Sequence, residues 1–273
     1  MTQKDYPFAV DLANTMNWNM AIEDFEFMAT LEPKGCFLLV DQSRRVGIAT
    51  CIRYKKMGWL GNLIVQKAYR HQGAGSLLAQ HAITYLQTQG AESVGLYCEP
   101  PLTKFYSRLG FKPDIAFTYL HGTNPPTPNP PKLPKIKPDQ LTQITNFDHQ
   151  HIGENRKKLL QTIIPDPNNL CYYIPEKDKI VGYVAASVCN NAAWVGPLIC
   201  APTRYDVASS LIKTVLAQTS NKTIYAAFPK NEPPIRNLFL DLQNTDGFEL
   251  IRMFFGPSRA KNCIYMAESL ERG

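Results

Sequence analysis

A short segment with two glycines, at the expected start of a helix, is the part of the sequence best suited to bind an anion. The glycines stand one residue apart, an arginine precedes them and a serine follows. Backbone N–H groups at a helix start lack partners within the helix, and together with the helix dipole they stabilise an anion. Glycine lets a phosphate approach these amides and permits positive φ angles. The residues concerned are Arg70, His71, Gln72, Gly73, Ala74, Gly75 and Ser76.

The sequence around this loop excludes two other nucleotide-binding motifs. It lacks the Lys-Ser/Thr pair of a P-loop, and it follows a third predicted strand instead of opening a βαβ unit as a Rossmann fingerprint does. A glycine-rich turn that binds nothing is the alternative interpretation, because such turns are common at helix starts.

The composition is that of a globular chain with a mild positive charge. Of 273 residues, 44% are hydrophobic and 19% are charged, which is typical of folded domains. The formal net charge is +6, and most of the excess lies in residues 1–138. A positive first half suits an anionic ligand such as a nucleotide-bearing cofactor, with ordinary surface charge as the alternative. No basic run is long enough to predict a nucleic-acid-binding tail.

The seven cysteines are scattered, without a CxxC spacing. Their odd number, and the lack of an apolar signal-peptide core at the start of the sequence, predict free thiols, a cytoplasmic location and no metal site. The uncharged segment 180–203 raises the question of a membrane span. It contains Asn190, Asn191 and Pro197, and we interpret it as two buried strands joined by a turn.

The sequence divides at a proline-rich stretch. Seven of the 21 prolines lie in residues 123–138, which predicts an extended linker without helix or central strand; a proline-rich ligand for a partner domain is the alternative. The predicted domains therefore cover residues 1–122 and 139–273, each of ordinary domain size.

Apolar patterns in the first half predict a mixed α/β order. Strands are predicted over residues 36–41, 45–54, 58–66 and 93–99, and again after Phe111. A helix is predicted over 73–88 and ends before Gly90, and a short helix over 101–110 ends at Gly110.

The second half repeats this plan. The heptapeptide Trp59–Val65 (WLGNLIV) matches Trp194–Cys200 (WVGPLIC) at an offset of 135 residues. In each half a helix, a strand, a short helix and a Gly-Phe pair follow in the same order, the pairs being Gly110-Phe111 and Gly247-Phe248. The ordered recurrence predicts a duplicated fold.

The run from Gly61 to Asp114 resembles the core of the GNAT acyltransferase superfamily. It is similar to that family's R-x-x-G-x-G pyrophosphate loop and to its late helix ending in Tyr-x-x-x-Gly-Phe, here Tyr106 to Phe111. The resemblance covers residues 36–121. It implies an α/β (α+β) fold of two tandem GNAT-like domains, each a mixed, mostly antiparallel twisted sheet flanked by helices. It also implies acyl transfer from acyl-CoA to an amine or, less often, a hydroxyl.

The second half resembles a YitH-like GNAT module but departs from the catalytic pattern. Its segment APTRYDVASSL, residues 201–211, contains no glycine where the phosphate loop would fall. Gln243 stands in the place of Tyr106 when the position is counted back from the Gly-Phe pair. We therefore expect this half not to bind CoA.

The resemblance assigns cofactor contacts and one catalytic residue. A backbone N–H near Ile64 or Val65 would meet the acyl oxygen, and Tyr106 would protonate the departing thiolate. Tyr106 as a core residue beside Phe105 and Phe111 is the alternative. The implied contacts with acetyl-CoA are Leu63, Ile64, Val65, the loop from Arg70 to Ser76 (Arg70, His71, Gln72, Gly73, Ala74, Gly75, Ser76), Glu99, Lys104 and Tyr106.

The acceptor side of the predicted site is less defined. Trp18, Asn19 and Asp24 would line the acceptor pocket, although Trp18 fits a helix core equally well. No general base is assigned: Glu23, Asp24, Glu99 and a water wire are the candidates, and Cys98 is more plausible as a buried hydrophobe than as a nucleophile.

The sequence as a whole therefore predicts an acetyl-CoA-dependent N-acetyltransferase. The acceptor would be a small-molecule amine or a protein lysine, and the chain a monomer or homodimer that binds neither nucleic acid nor membrane. A non-catalytic acyl-CoA sensor or partner-binding module is the alternative.

Overall fold

Eleven strands and eight helices are found in the residues that the computed structural model describes, namely 1–127, 129–258 and 263–273. Position 128, in the predicted linker, lies outside these ranges. The helices are α1 (Tyr6–Asn14), α2 (Ile22–Leu31), α3 (Ala74–Thr88), α4 (Thr103–Arg108), α5 (Leu141–Ile152), α6 (Lys157–Ile163), α7 (Tyr205–Gln218) and α8 (Pro233–Asn237). The strands are β1 (Cys36–Asp41), β2 (Arg44–Tyr54), β3 (Met57–Val65), β4 (Ser93–Cys98), β5 (Lys112–Thr123), β6 (Asn169–Glu176), β7 (Lys179–Cys189), β8 (Ala192–Cys200), β9 (Thr223–Pro229), β10 (Gln243–Phe255) and β11 (Ile264–Met266).

The predicted elements of the first half are confirmed to within a few residues at their ends. Helix α3 begins after Gly73, whose φ of +88° is a left-handed conformation that favours glycine. It ends before Gly90, which has a φ of +94°. The uncharged segment 180–203 forms β7 and β8, as predicted. No helix in the described part of the chain is long and apolar enough to cross a membrane.

The two halves share one continuous sheet in the order β1-β2-β3-β4-β10-β5-β9-β8-β7-β6, with β11 added beside β8. Strand β10, from the second half, pairs with β4 of the first half. Strand β5, from the first half, pairs with β9 of the second. The halves are thus related by an approximate twofold arrangement, and each contributes its last long strand to the other. This strand exchange is not apparent in the sequence.

Helices cover both faces of the sheet in the first half. Helix α3 packs on one face through Leu78, Ala82 and Leu86. On the other face, α1 and α2 pack through buried residues that include Phe25 and Met28. Between β5 and α5, the described residues form no regular helix or strand beyond one bridge, Lys135 to Tyr172, and a single helical turn before α5.

A buried ion pair lies between α5 and α6. Arg156 Nη2 lies 2.6 Å from Asp148 Oδ2, and the two side chains are 2% and 1% exposed. The hydroxyl of Tyr183 donates to Asp148 Oδ2 over 2.6 Å, and Arg156 Nη1 donates to the backbone oxygen of Gly273 over 3.0 Å. The pair therefore connects the helices of the second half with the last residue of the sequence.

One alignment made from the sequence is wrong. Gly110 and Phe111 follow α4, as expected, but Gly247 and Phe248 lie within β10 and do not follow a helix. Gln243 likewise begins β10, so it is not the structural counterpart of Tyr106. The Gly-Phe pair misled the alignment, because a match of two residues does not show whether they follow a helix or lie within a strand.

Candidate functional site

The central feature of the candidate site is the incomplete pairing of β3 with β4. These parallel strands pair over three residue pairs, from Met57–Ser93 to Trp59–Gly95. Beyond Trp59 no described strand pairs with β3 on this side, while its other edge stays bonded to β2. An open strand edge can accept an extended ligand as an added strand. The open edge includes Leu63, Ile64 and Val65.

A bulge lies at the same place on β3. The register with β2 shifts between the pairs Thr50–Gly61 and Ile48–Ile64, so β3 carries one extra residue. Asn62 has a φ of +47°, and its buried amide donates to the hydroxyl of Thr50 over 3.1 Å. A bulge interrupts the ladder and redirects backbone N–H groups, so a backbone N–H beside the bulge, such as that of Leu63, is a candidate donor to a ligand in the opening.

The predicted phosphate loop lies between the open edge and the first turn of α3. No side chain caps the start of α3, so its first N–H groups retain their capacity to bind an anion. His71, Gln72 and Gly73 are exposed. Arg70 is oriented by a hydrogen bond from Nε to the backbone oxygen of Val65, 2.9 Å long. A Cβ added at Gly73 would meet no atom within 4 Å, so the space beside the loop is open.

Tyr106 lies close to this loop. Its side chain is 7% exposed and belongs to the same apolar cluster as Val65. Phe105 stacks edge-on against Tyr106, with ring centroids 4.9 Å apart, and lies 3.5 Å from an added Cβ at Gly75. Burial raises the pKa of Tyr106, and the neighbouring Cys98 raises it further. The phenol is therefore neutral at physiological pH and has a proton that it can donate.

The sequence analysis also considered five residues outside the loop: Trp18, Asn19, Cys98, Glu99 and Lys104. Glu99 and Lys104 are exposed at the turn before α4 and at its start. Burial raises the pKa of Cys98 to about 12, so this thiol is protonated and is a poor nucleophile. Trp18 and Asn19 lie exposed in the loop between α1 and α2, so the helix-core alternative for Trp18 is wrong.

Asp24 has a capping role in the structure. Its carboxylate accepts a hydrogen bond from the backbone N–H of Ala21 over 2.8 Å, at the start of α2. It lies near enough to Glu271 to raise the pKa of that residue. Among the predicted acceptor-side residues, Asp24 is therefore the one whose charge acts on Glu271, and the main chain of Glu271 lies against Gly61 of β3.

The equivalent opening in the second half is filled by the chain itself. Strands β8 and β9 also pair in parallel over only a few residues, ending at Val195–Ala226. Beyond that point, β11 pairs with β8 from Leu198 to Cys200. Pro197 stands in the place of Asn62 and has no backbone N–H to donate. These features remove the open edge that the first half retains.

The residues that follow β11 cross to the first half, and sequence analysis missed them. We call residues 267–273 the crossing segment. A Cβ added at Gly61 would overlap the Cβ of Glu271 and lie 2.6 Å from its Cα. A Cβ added at Gly196 would overlap the backbone oxygen of Ala267. The two glycines of the repeated heptapeptide were the available signal, because each lets the crossing segment approach the sheet closely.

A cavity of about 230 Å³ lies between the halves, beside the crossing segment. Its lining includes Trp59, Arg252, Tyr265 and Gly273. Tyr54 also lines it, and its buried hydroxyl has no hydrogen-bond partner in the part of the chain that the structure describes. The lining residues Trp59 and Phe254 belong to the same apolar cluster as Met28 of α2.

Comparisons with known proteins agree with this geometry. A model described as "Acetyltransferase (GNAT) family" matches residues 6–111, and one described as "Acetyltransferase (GNAT) domain" matches residues 144–265. N-alpha-acetyltransferase MAK3 of Arabidopsis thaliana is 29% identical over 130 residues, which cover 42% of this chain and 68% of that protein.

Two solved structures share the fold over nearly the whole chain. A putative acetyltransferase from Pyrococcus horikoshii has a TM-score of 0.80 at 16% identity, covering 100% of this chain and 94% of its own. A GCN5-related N-acetyltransferase from Sphaerobacter thermophilus has a TM-score of 0.68 at 15% identity, covering 94% of this chain and 95% of its own.

The chain belongs to the GNAT acetyltransferase family and carries two GNAT domains in tandem. It is an acyltransferase of class EC 2.3.1.-, and acetyl-CoA is the typical co-substrate of its family.

Proposed function

We propose that the chain transfers the acetyl group of acetyl-CoA to an amine, and that the reaction takes place at the opening in its first half. The contrast between the two openings is the observation that supports this proposal. The edge of β3 is open beside an uncapped helix start, whereas β11 fills the corresponding edge of β8. We also propose that the first domain ends at residue 122 and that the second begins at residue 139.

The residues present fit acetyl-CoA as a co-substrate. The backbone of Leu63 to Val65 would pair with the pantetheine arm, and the amides from Arg70 to Ser76 would bind the pyrophosphate. Bound there, the co-substrate supplies an activated acetyl group. A backbone N–H at the bulge would stabilise negative charge on the acyl oxygen, and such a donor contributes about 3 kcal/mol. Tyr106 would deliver its proton to the departing sulfur.

Substitution of Gly73 by valine is expected to weaken acetyl-CoA binding at least about tenfold, equivalent to roughly 1.4 kcal/mol. A β-branched residue at a φ of +88° is strained, so the loop would rearrange and the side chain would enter the space beside the amides. Gly90→Val is the matched control, because Gly90 also has a positive φ and open space around an added Cβ. Isothermal titration of the whole chain measures both variants; equal loss of affinity in the two would contradict the loop assignment.

The Tyr106→Phe variant is expected to lose about 100-fold or more in kcat, as is usual for removal of a positioned general acid. Its hydroxyl makes no hydrogen bond to the described residues, so neither the unfolding midpoint nor the affinity for acetyl-CoA should change. Thiol release from acetyl-CoA and a denaturant titration provide the two measurements. An unchanged kcat would leave Tyr106 as a packing residue only.

The acceptor class is to be determined by a panel of amines. A peptide with a free α-amino group is the first choice, because the relative from Arabidopsis is named as an N-alpha-acetyltransferase. A lysine peptide with a blocked α-amine, spermidine and an arylalkylamine represent the other classes. Acceptor-dependent thiol release supports the proposal. Binding of acetyl-CoA without such release by any amine would favour the sensor alternative.

A further inference from the structure

We propose that Glu271, supplied by the crossing segment, is the carboxylate that accepts the proton of the acceptor amine. The inference rests on the proposed function and deepens it, because nothing else so far assigns a base for the reaction.

The position of Glu271 relative to the open edge is the first argument. Its main chain lies directly against Gly61, in close contact with β3. Leu63 lies two residues further along β3, about 7 Å from Gly61 at the usual rise per residue. At Leu63 the bulge faces the opening. Glu271 is thus next to the place where the acyl carbon is expected, and Gly61 is the residue that allows this approach.

The face of the sheet is the second argument. Before the bulge, Leu60 packs on the same side as α3, and Trp59 packs on the same side as Met28 of α2. Gly61 alternates with Leu60 and therefore faces α2, as does Glu271. Tyr106 packs in the α3 cluster, on the opposite face. A thioester placed in the opening would have an acid on one face and a carboxylate on the other.

The neighbours of Glu271 orient it. Arg272 Nη1 donates to Glu271 Oε1 over 2.7 Å, and the guanidinium is held in turn by Glu268 and by the ring of Phe27, 4.9 Å away. No described side chain donates to Oε2. The Glu271 side chain is 19% exposed, so it is shielded but accessible.

The charged groups around Glu271 have opposing effects on its basicity. Burial raises its pKa above the ordinary value for glutamate; Arg272 lowers it, and Glu268 and Asp24 raise it. The net effect is a raised pKa. A carboxylate with a raised pKa is a stronger base than an exposed one.

The proton balance of the reaction is complete with these two residues. Oε2 of Glu271 takes one proton from a primary ammonium. The nitrogen lone pair then forms the C–N bond with the acetyl carbon, and the C–S bond breaks with its electron pair on sulfur. Tyr106 gives its proton to sulfur and regains one from the nitrogen. Glu271 passes its proton to water, so the products are the acetylated amine, the thiol and one proton.

The test uses the whole chain, acetyl-CoA and the best amine of the panel described above. Glu271→Gln is expected to lose roughly 100-fold in kcat at pH 7, the contribution of a positioned base, with unchanged affinity for acetyl-CoA. Its rate should recover about tenfold per pH unit toward the pKa of the free amine, because solvent then supplies the deprotonated form. Glu26→Gln, an exposed glutamate on α2, is the matched control and should retain the wild-type pH profile.

A second variant addresses the geometry without removing the carboxylate. Gly61→Ala would displace the crossing segment and is expected to lower kcat while acetyl-CoA still binds. Wild-type pH profiles in Glu271→Gln would overturn the assignment, and a rise in turnover would show that the crossing segment obstructs the acceptor instead. If the wild-type chain releases no thiol with any amine, the proposed function itself fails and this inference with it.

Discussion

Residues 1–122, produced alone, are expected to form no stable domain. Five residues of β10, Ile251 to Phe255, pair with β4, and their loss leaves a central edge of the sheet without a partner. Met253 is completely buried, in the α3 cluster, and Phe254 is 2% exposed. Removing two such side chains forfeits about 3–6 kcal/mol of apolar burial, a large part of the 5–15 kcal/mol that stabilises an ordinary domain.

The experiment that tests this prediction compares residues 1–122 alone with residues 1–122 co-expressed with residues 123–273. Residues 1–122 alone should show no cooperative thermal transition and no acetyl-CoA binding, whereas co-expression with residues 123–273 should restore both. Circular dichroism and calorimetric titration give the readouts. A monomeric fragment that melts cooperatively and binds acetyl-CoA would show that β5 can replace β10 beside β4, and that the strand exchange is dispensable.

Replacement of Asp148 by leucine is expected to lower the free energy of unfolding by about 3–5 kcal/mol, the usual cost of leaving a buried charge without its partner. Arg156 is 2% exposed and its guanidinium donates to both Asp148 oxygens, at 3.2 Å and 2.6 Å. Without Asp148, the hydrogen-bond partners that remain for the cation among the described residues are Tyr183 and the backbone oxygen of Gly273. Urea titration at constant pH measures the change.

The double variant Asp148→Leu/Arg156→Met provides the control for this prediction. Apolar residues of similar volume commonly replace a buried ion pair at little cost, so the double variant should be more stable than Asp148→Leu alone. Additive losses would mean that Arg156 stabilises the chain mainly through Gly273 and the crossing segment, independently of Asp148.

The local structure of the first half could be predicted because its signals lie close together in the sequence. Gly73 and Gly90 mark the ends of α3, and the repeated heptapeptide around Gly61 and Gly196 marks the duplication. The phosphate loop could be located in the same way, since the loop, helix and short helix of a GNAT domain are contiguous. Its role in binding is still a prediction.

The exchange of β5 and β10 could not be predicted, because the apolar pattern of a strand does not specify which other strand it pairs with. The contact of Glu271 with Gly61 joins residues that lie far apart in the sequence, and the segment around Glu271 has neither helical nor strand periodicity. The Gly247-Phe248 pair was misleading because a two-residue match carries no information on the element that contains it.

The position of β10 beside β4 also affects how the protein is made. During translation, β1 to β4 leave the ribosome long before residues 243–255 are synthesised. Until β10 is made, the edge of β4 in the nascent first half stays exposed. Chaperones bind such apolar edges, and the edges promote aggregation when they are left unprotected. Both halves therefore complete their folding together, only after β10 has been synthesised.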